Sequence, residues 1–451
     1  MNNTVPIQQP VDNDLLSGTV RLSIAVPVAV ASFFYTNILE YALPLYFDAL
    51  QLPKDTWSNL VKYKVVTWIL GSALAGLLSR RYGERFVWSC SLLGKVVVIL
   101  GLIYCPTPDA IVLLAAWQGL TGALMWIAGV SLVQMVPERR KGLSNGLIMV
   151  SLGVGAVVGA LIGRFIIYID ELKPFVYQTN LSEIFLRLFN FVKLTSTPQI
   201  EDFYSIFWLL MATTILSAVA IALFGQRPGK FQREEPANWK QTFKDVGLLV
   251  SNPTFWALVI PLALLGGPVF QASNQFLPYR AEELGLKQGS EDQGWIWLQL
   301  LKTFMWIPGG IAVAFLAGKR APGWVAAMML GCFALTAFGI GMSMLPWHIF
   351  LCVACFEFTR QFMRWSHAGY LAEHMPGNLR PTAIGCAIMF SGLGSSLYCW
   401  IVPILWDPNS AEFVSWKPIA VAASLGLTGT LGLLLYHYFR PINANSVTSK
   451  A

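Results

Sequence analysis

Between Phe203 and Gly225 the chain reads FYSIFWLLMATTILSAVAIALFG, 23 residues without a charge. As a helix rising about 1.5 Å per residue, the stretch is long enough to cross a bilayer core of about 30 Å. Apolar runs of this kind recur along the whole chain. Cut at their polar, Pro and Gly interruptions, they predict twelve helices near residues 22–48, 56–78, 86–104, 109–135, 143–168, 203–225, 253–278, 294–318, 323–344, 347–371, 382–405 and 418–438, here called spans one to twelve. Barrel strands would alternate apolar and polar residues over about ten positions, and these runs do not. The expected fold class is an all-α membrane protein. Composition agrees: of 451 residues, 55% are hydrophobic and 12% charged, against roughly 25% charged in soluble proteins. An ordinary soluble enzyme, a disordered chain and a fibrous repeat are excluded.

A net charge of +7 does not point to nucleic acid, because the basic residues lie mostly in short connections between spans. The connections 2–3, 4–5, 6–7, 8–9 and 10–11, with Arg21, Arg440 and Lys450 of the tails, hold 17 Lys and Arg; the opposite connections hold 7. The richer side is therefore expected to be cytoplasmic, with both termini on it and the protein in the plasma (inner) membrane. Residues 1–20 are polar without a basic charge and read as part of a tail, not a signal peptide. The expected organisation is a polar tail at 1–21, a six-helix bundle at 22–225, a basic linker at 226–252, a second bundle at 253–440 and a tail at 441–451. Residues 170–202 form a long outer connection whose LSEIFLRLFNFVK segment is patterned like a helix lying on the membrane surface. All seven cysteines fall in or beside apolar segments. Cys352 and Cys355 make a CxxC that no second pair or His cluster completes, so packing is their expected role and no metal or cofactor is expected.

The two halves echo each other. After span four the chain runs from Pro137 through Arg139, Arg140 and Lys141 to Gly146, Gly153 and Gly155; after span ten it runs from Pro376 through Arg380 to Gly385, Gly392 and Gly394. Each of these Pro and Gly pairs is 239 residues apart. Leu43-Pro44-Leu45-Tyr46 and Leu277-Pro278-Tyr279 add an echo at the ends of spans one and seven. Two similar halves related by an axis along the membrane normal are a transporter architecture, with the solute site between them near mid-membrane.

Between spans two and three, Gly76-Leu-Leu-Ser-Arg80-Arg81-Tyr-Gly83-Glu84-Arg85 resembles the G-x-L-a-D-R-x-G-R-K signature of the major facilitator superfamily. Gly76, Leu78, Arg81, Gly83 and Arg85 match; Arg80 replaces the acidic residue and Glu84 the first basic residue after the glycine. In the family that acid helps latch the halves together, so a latch here must be wired differently. In span five, Gly146, Gly155, Gly159 and Gly163 fit the family's exporter-associated glycine motif, with Ala160 in place of its proline and Arg164 in place of its last glycine. Glycine at such spacing also simply lets helices pack closely. The resemblance implies two pseudo-symmetric six-helix bundles, with spans one, four, seven and ten around a central cavity, and gating roles for these loop and glycine residues.

Ionisable groups at mid-bilayer cost about 2.5–3.5 kcal/mol even on insertion scales, so each needs a reason. The spans hold Lys62, Lys64, Lys95, Arg164, Lys302, Arg360 and Arg364, with Glu40 and Glu357 as the acids. Lys62, Lys64 and Arg164 can snorkel to the outer interface. On span ten Glu357, Arg360, Arg364 and His367 fall on one stripe at i, i+3, i+7 and i+10, with Gln361 at its margin. One reading is a Glu357–Arg360 ion pair that braces the bundle. The resemblance instead puts the stripe on the transport path, facing Asn37 and Glu40 of span one and Gln271, Asn274 and Gln275 of span seven. Trp126 of span four is a candidate stacking wall or a core residue, and Lys302, with Trp306 one turn on, a further cation. Lys95 has no assigned role.

Lys302, Arg360 and Arg364 against Glu40 and Glu357 favour an anionic or zwitterionic solute, since Arg holds carboxylates and phosphates through paired hydrogen bonds. Glu40, without a basic neighbour on its own span, is the first candidate for a proton carrier and Glu357 the second. The expected function is proton-coupled secondary transport of a small organic solute by a monomer in the lipid bilayer. The alternatives are a proton-antiport exporter of amphipathic compounds and a transport-inactive receptor or assembly scaffold. None of the four histidines sits in a catalytic motif, and neither a phosphate loop nor HExxH occurs, so an enzyme is not expected.

Overall fold

Uncharged runs of twenty or so residues have one way to satisfy their backbone in lipid without a partner strand, and they take it: every regular element among the described residues is helical. The computed structural model describes residues 26–32, 35–36, 38–39, 43, 46–47, 49–52, 54–134, 141–167, 200–224, 239–286, 293–316, 322–365, 375, 379–405 and 414–439. Span one is described at scattered positions, and the described ones between 26 and 49 are helical. Spans two to six are the helices Lys54–Tyr82, Glu84–Tyr104, Pro108–Gln134, Lys141–Ile167 and Asp202–Phe224. Spans nine to twelve are Pro322–Gly341, Pro346–Trp365, Arg380–Leu405 and Trp416–Phe439. Seven described stretches are long and apolar enough to cross a membrane. The surface-helix reading of 170–202 falls almost wholly outside the described residues. Within the stretch read as linker, Trp239–Val250 is a helix exposing Lys240, Phe243 and Lys244 and burying Leu249.

Spans seven and eight are broken helices. Span seven runs as Pro253–Val259, a wider π-turn at Ile260–Leu264, and Gly267–Glu283. Pro261 has no N–H to give, and Leu265 N–H instead reaches back five residues to the Ile260 carbonyl at 3.0 Å. Span eight divides into Gln293–Phe304 and Trp306–Leu316, where Pro308 leaves the Phe304 carbonyl without its helical donor. At its far end span seven is fastened to its neighbours. Arg280 pairs with Glu283 and donates to the Ser343 carbonyl, and Glu283 accepts from Ser415 N–H at 3.0 Å.

Each half has its own buried interior. Leu258, Phe276, Phe333, Phe356 and Ala422 belong to one cluster running through spans seven, nine, ten and twelve. In the first half Tyr35, Ile99 and Phe207 lie in one cluster, and Trp88, Met125 and Leu152 in another. The halves meet where span five packs on span eight and span two on span eleven, through small side chains that let backbones approach. A Cβ on Gly146 would lie 2.1 Å from the Ala314 Cβ, and one on Gly385 2.8 Å from the Ser72 carbonyl oxygen. Ala75 and Ile127 join Ile384 and Ile388 in a cluster across the same seam. These contacts run from mid-helix toward the ends at residues 82, 141, 316 and 380, the side richer in Lys and Arg.

Candidate functional site

On span ten Glu357 is 1% exposed and Arg360 8%, three residues apart on one helical face. Arg360 Nη1 donates to Glu357 Oε1 at 2.9 Å and to Oε2 at 3.2 Å. Across the gap to span eight, Trp306 Nε1–H donates to Glu357 Oε2 at 2.7 Å. The Arg360 guanidinium carbon lies 5.5 Å from the Phe270 ring centre on span seven and 5.9 Å from that of Trp306. Three helices therefore enclose one ion pair. The carboxylate is well supplied: it accepts from a cation and from an indole, bonds that are stronger where water is excluded. The cation is not. Arg360 Nε is buried without a partner, and so are both amide atoms of Gln361, whose stem packs against Gly309 of span eight. A buried donor left unmade costs about 1–3 kcal/mol, so this cluster holds unused capacity to bind a polar group.

The other candidates are placed less uniformly. Gln271 is half-buried and lies beside Cys399 of span eleven. Lys302 is half-buried, one turn before Trp306. Trp126 packs against the inner cluster of its own half and against the one that bridges the seam. With Ser32, Trp88 and Met125 it also lines a cavity of about 20 Å³, room for one water. Asn37 and Glu40 lie outside the described residues, as do the side chains of Asn274, Gln275 and Arg364. So does His367.

At the 2–3 connection, Gly83 has φ +86° and ψ 148°, a backbone state open essentially to glycine alone. Arg85 donates to the Ala222 carbonyl of span six, tying the connection to the end of that helix. Arg81 lies 5.5 Å from the Tyr82 ring centre, and the Arg80 side chain is outside the described set. Gly76 backs directly onto Gly385 of span eleven. In span five, Gly146 meets Ala314 of span eight, Gly155 meets the Val30 backbone of span one, and Gly159 is buried. Gly163 is helical and its surroundings fall outside the described set.

A family model described as Major Facilitator Superfamily matches residues 25–398. The chain belongs to that superfamily. Among solved structures, the Escherichia coli fucose:proton symporter FucP in the outward conformation superposes with a TM-score of 0.70 at 12% identity, over 93% of this chain and 99% of that one. The human organic anion transporter MFSD10 gives 0.64 at 12% identity over 93% and 99%. The Staphyloferrin B transporter of Staphylococcus aureus is 25% identical over 168 residues, which is 36% of this chain and 40% of that one. The putative metabolite transport protein YaaU of Escherichia coli K12 is 23% identical over 379 residues, 81% of each chain. The protein is thus a multi-pass membrane transporter of the secondary type rather than an enzyme.

The superfamily's duplication is written into the site itself. Lys64-x-x-x-Trp68-Ile69-x-Gly71 in span two returns as Lys302-x-x-x-Trp306-Ile307-x-Gly309 in span eight, 238 residues later. A Cβ on Gly71 would meet the Leu120 carbonyl oxygen at 2.8 Å; one on Gly309 would meet that of Phe358, also 238 residues on, at 2.9 Å. Gly101 faces Leu114 as Gly339 faces Cys352, at the same offset again. On this register Glu357 stands where span four has Gly119, and Arg360 where it has Gly122. Trp306 as the partner of Glu357 escaped the reading of charges, although the repeated tryptophan was a signal for it. Phe270 had no such signal.

Proposed function

We propose that this transporter carries a small organic anion or zwitterion, coupled to protons, by rocking residues 22–225 against 253–440 about a central site on which Arg360 is the anion anchor. The observation that carries the reading is Arg360 itself: buried near mid-membrane, held by Glu357, Trp306 and Phe270, with one guanidinium donor unused. A guanidinium fixed in this way offers a preorganised edge to a carboxylate or phosphate. Asn37, Trp126, Gln271, Asn274, Gln275, Lys302, Gln361 and Arg364 complete the proposed site. Glu40 remains the proposed proton carrier, because Glu357 is held by its Arg and Trp partners. Proton coupling draws support from the likeness in fold to FucP and XylE, both proton symporters, and the anion class from that to MFSD10, an organic anion transporter. Glycine contacts concentrated toward one end of the seam accord with a state closed on the cytoplasmic side, with both termini there, in the plasma membrane. The paired glycines of spans five and eleven do one packing job in both halves, which favours structure over an export-specific role for Gly146 and Gly155; Gly159 and Gly163, whose counterparts are Tyr398 and Val402, fall outside that argument.

The test is uptake of labelled organic acids into proteoliposomes under an imposed proton gradient. Arg360→Lys keeps charge but loses the planar fork, and is expected to lower uptake at least roughly tenfold. Glu40→Gln is expected to abolish the response to the gradient while leaving counterflow. Unchanged anion affinity in Arg360→Gln removes the anion reading, and intact gradient-driven uptake in Glu40→Gln removes the proton assignment.

A further inference from the structure

Lys95, midway along span three, is 3% exposed, and its ammonium lies 4.7 Å from the ring centre of Tyr35 on span one. Among the described residues no carboxylate pairs with it. The Tyr35 hydroxyl is itself buried without a hydrogen-bond partner. Lys64 of span two is near enough for its charge to act on Lys95, so among the described residues the region gathers positive charge and a spare hydroxyl donor with no carboxylate to receive them. A cation–π contact returns only part of the cost of burying an ammonium. Nor does the fold require a cation here. The residue 238 positions later is Phe333, which packs 4.7 Å from Phe270 and 4.4 Å from Phe356, ring centre to ring centre, within the hydrophobic cluster of that half. An aromatic ring fills this place in one half; in the other stands a buried lysine with no carboxylate partner among the described residues.

We propose that Lys95, Lys64 and Tyr35 form an anion-binding site within the N-terminal half that takes the carboxylate group of a solute, separate from the Glu357–Arg360 pair. The ammonium supplies the charge that the carboxylate needs, and the Tyr35 hydroxyl a donor to its second oxygen. A solute with two carboxylates could engage a cation in each half. Only that last link rests on the anion reading above; binding at Lys95 stands on its own residues.

The experiment is thermal unfolding of the purified full-length protein, with sodium chloride replaced stepwise by sodium acetate or sodium succinate at constant ionic strength. The wild-type Tm is expected to rise with either carboxylate. Lys95→Met is expected to have a higher Tm than the wild type in chloride, since an unpaired buried charge is gone, and no rise with carboxylate. Lys95→Arg should keep the rise, and Tyr35→Phe should need roughly tenfold more succinate for half of it. Arg360→Gln should keep the Lys95-dependent rise even where uptake is lost, which separates this proposal from the preceding one. A carboxylate-induced rise that survives in Lys95→Met overturns the site, as does a Lys95→Met protein less stable than the wild type in chloride. Should that variant not fold, loss of the rise in Lys95→Arg or an unchanged midpoint in Tyr35→Phe overturns it equally.

Discussion

Trp68 rests on span four over a glycine, whereas Trp306, its counterpart in the second half, reaches across to span ten and grips a carboxylate. A Cβ on Gly122 would lie 3.0 Å from the Trp68 ring, while Trp306 Nε1–H is 2.7 Å from Glu357 Oε2. Backbone approach, helix order and the Lys-x-x-x-Trp-Ile-x-Gly frame are shared; side-chain chemistry is not. Span four holds Gly119 and Gly122 in the register where span ten holds Glu357 and Arg360. Close backbone packing thus joins both pairs of helices, and the C-terminal pair adds an indole bond to an ion pair held within span ten. A buried pair of this kind is weak evidence for stability, because desolvation offsets most of its attraction. The half that carries it had an uncharged way to pack, visible in its own repeat. That contrast points to function as the reason the charges are present.

The sharpest break in the comparison is Glu357→Ala. It leaves Arg360 buried and uncompensated, and is expected to cost about 3–5 kcal/mol, read as a large drop in Tm of the purified protein together with loss of transport. The double variant Glu357→Leu with Arg360→Met removes both charges, as the first half does. It should recover stability to within about 1–2 kcal/mol of wild type and still not transport. A double variant as unstable as the single one would mean that the pair braces the bundle after all.

Next in size is the seam. Gly146 faces Ala314, whereas the equivalent Gly385 faces Gly76 and the Ser72 backbone. Gly146→Ala is expected to cost about 3 kcal/mol, near the upper end for overpacking, and to hold the halves apart at that end. Ala314→Gly restores on this side the small partner that Gly385 enjoys on the other. The double variant Gly146→Ala with Ala314→Gly removes the Cβ contact but leaves the backbone Cα and N of residue 314 at 2.6 and 2.7 Å, so it should regain only part of the lost stability, as measured by thermal unfolding. Additive losses would show that the two residues are not in contact.

Much of this was legible in the chain before its coordinates, and the reasons are specific. Span six could be read at sight because 23 uncharged residues have few uses other than crossing a membrane. Glu357 and Arg360 could be placed on one face because i and i+3 on a helix are neighbours whatever surrounds them. The breaks in spans seven and eight were harder. Pro261 and Pro308 marked them, yet a proline says that a backbone bond is missing, not which carbonyl or turn replaces it. What faces the pair from outside its helix depends on how spans seven and eight are rotated. Local spacing does not encode that rotation, so Phe270 stayed unseen. Trp306 lay within reach through its likeness to Trp68, a repeat with a different offset from the Pro–Gly echo by one residue.

Trp306→Phe measures the worth of the indole bond directly. The ring is kept and one donor to a buried carboxylate is lost, at an expected cost of about 1.5–3 kcal/mol. Trp68→Phe, whose ring only covers Gly122, should cost less than about 1.5 kcal/mol, as a nearly volume-conserving change. Equal losses in thermal unfolding would remove the special standing of the second half.

The smallest effect is expected at the 2–3 connection and its counterpart, 8–9. Glu84 opens span three directly after Gly83, and 238 residues later Pro322 opens span nine. A proline at the first turn is already set for the helix, whereas Gly83 turns the chain through φ +86° with open space around its Cα. No clash therefore enters Gly83→Ala; only the backbone preference does, at about 1–2 kcal/mol. Gly83→Asn, which tolerates positive φ better than Ala, should recover part of that loss in the same thermal unfolding measurement. Because Arg85 fastens this connection to span six of its own half, uptake is expected to follow stability and show no separate defect. A transport loss in Gly83→Ala well beyond its stability loss would mean that this connection moves during the cycle, and that the superfamily's latch survives here without its acidic residue.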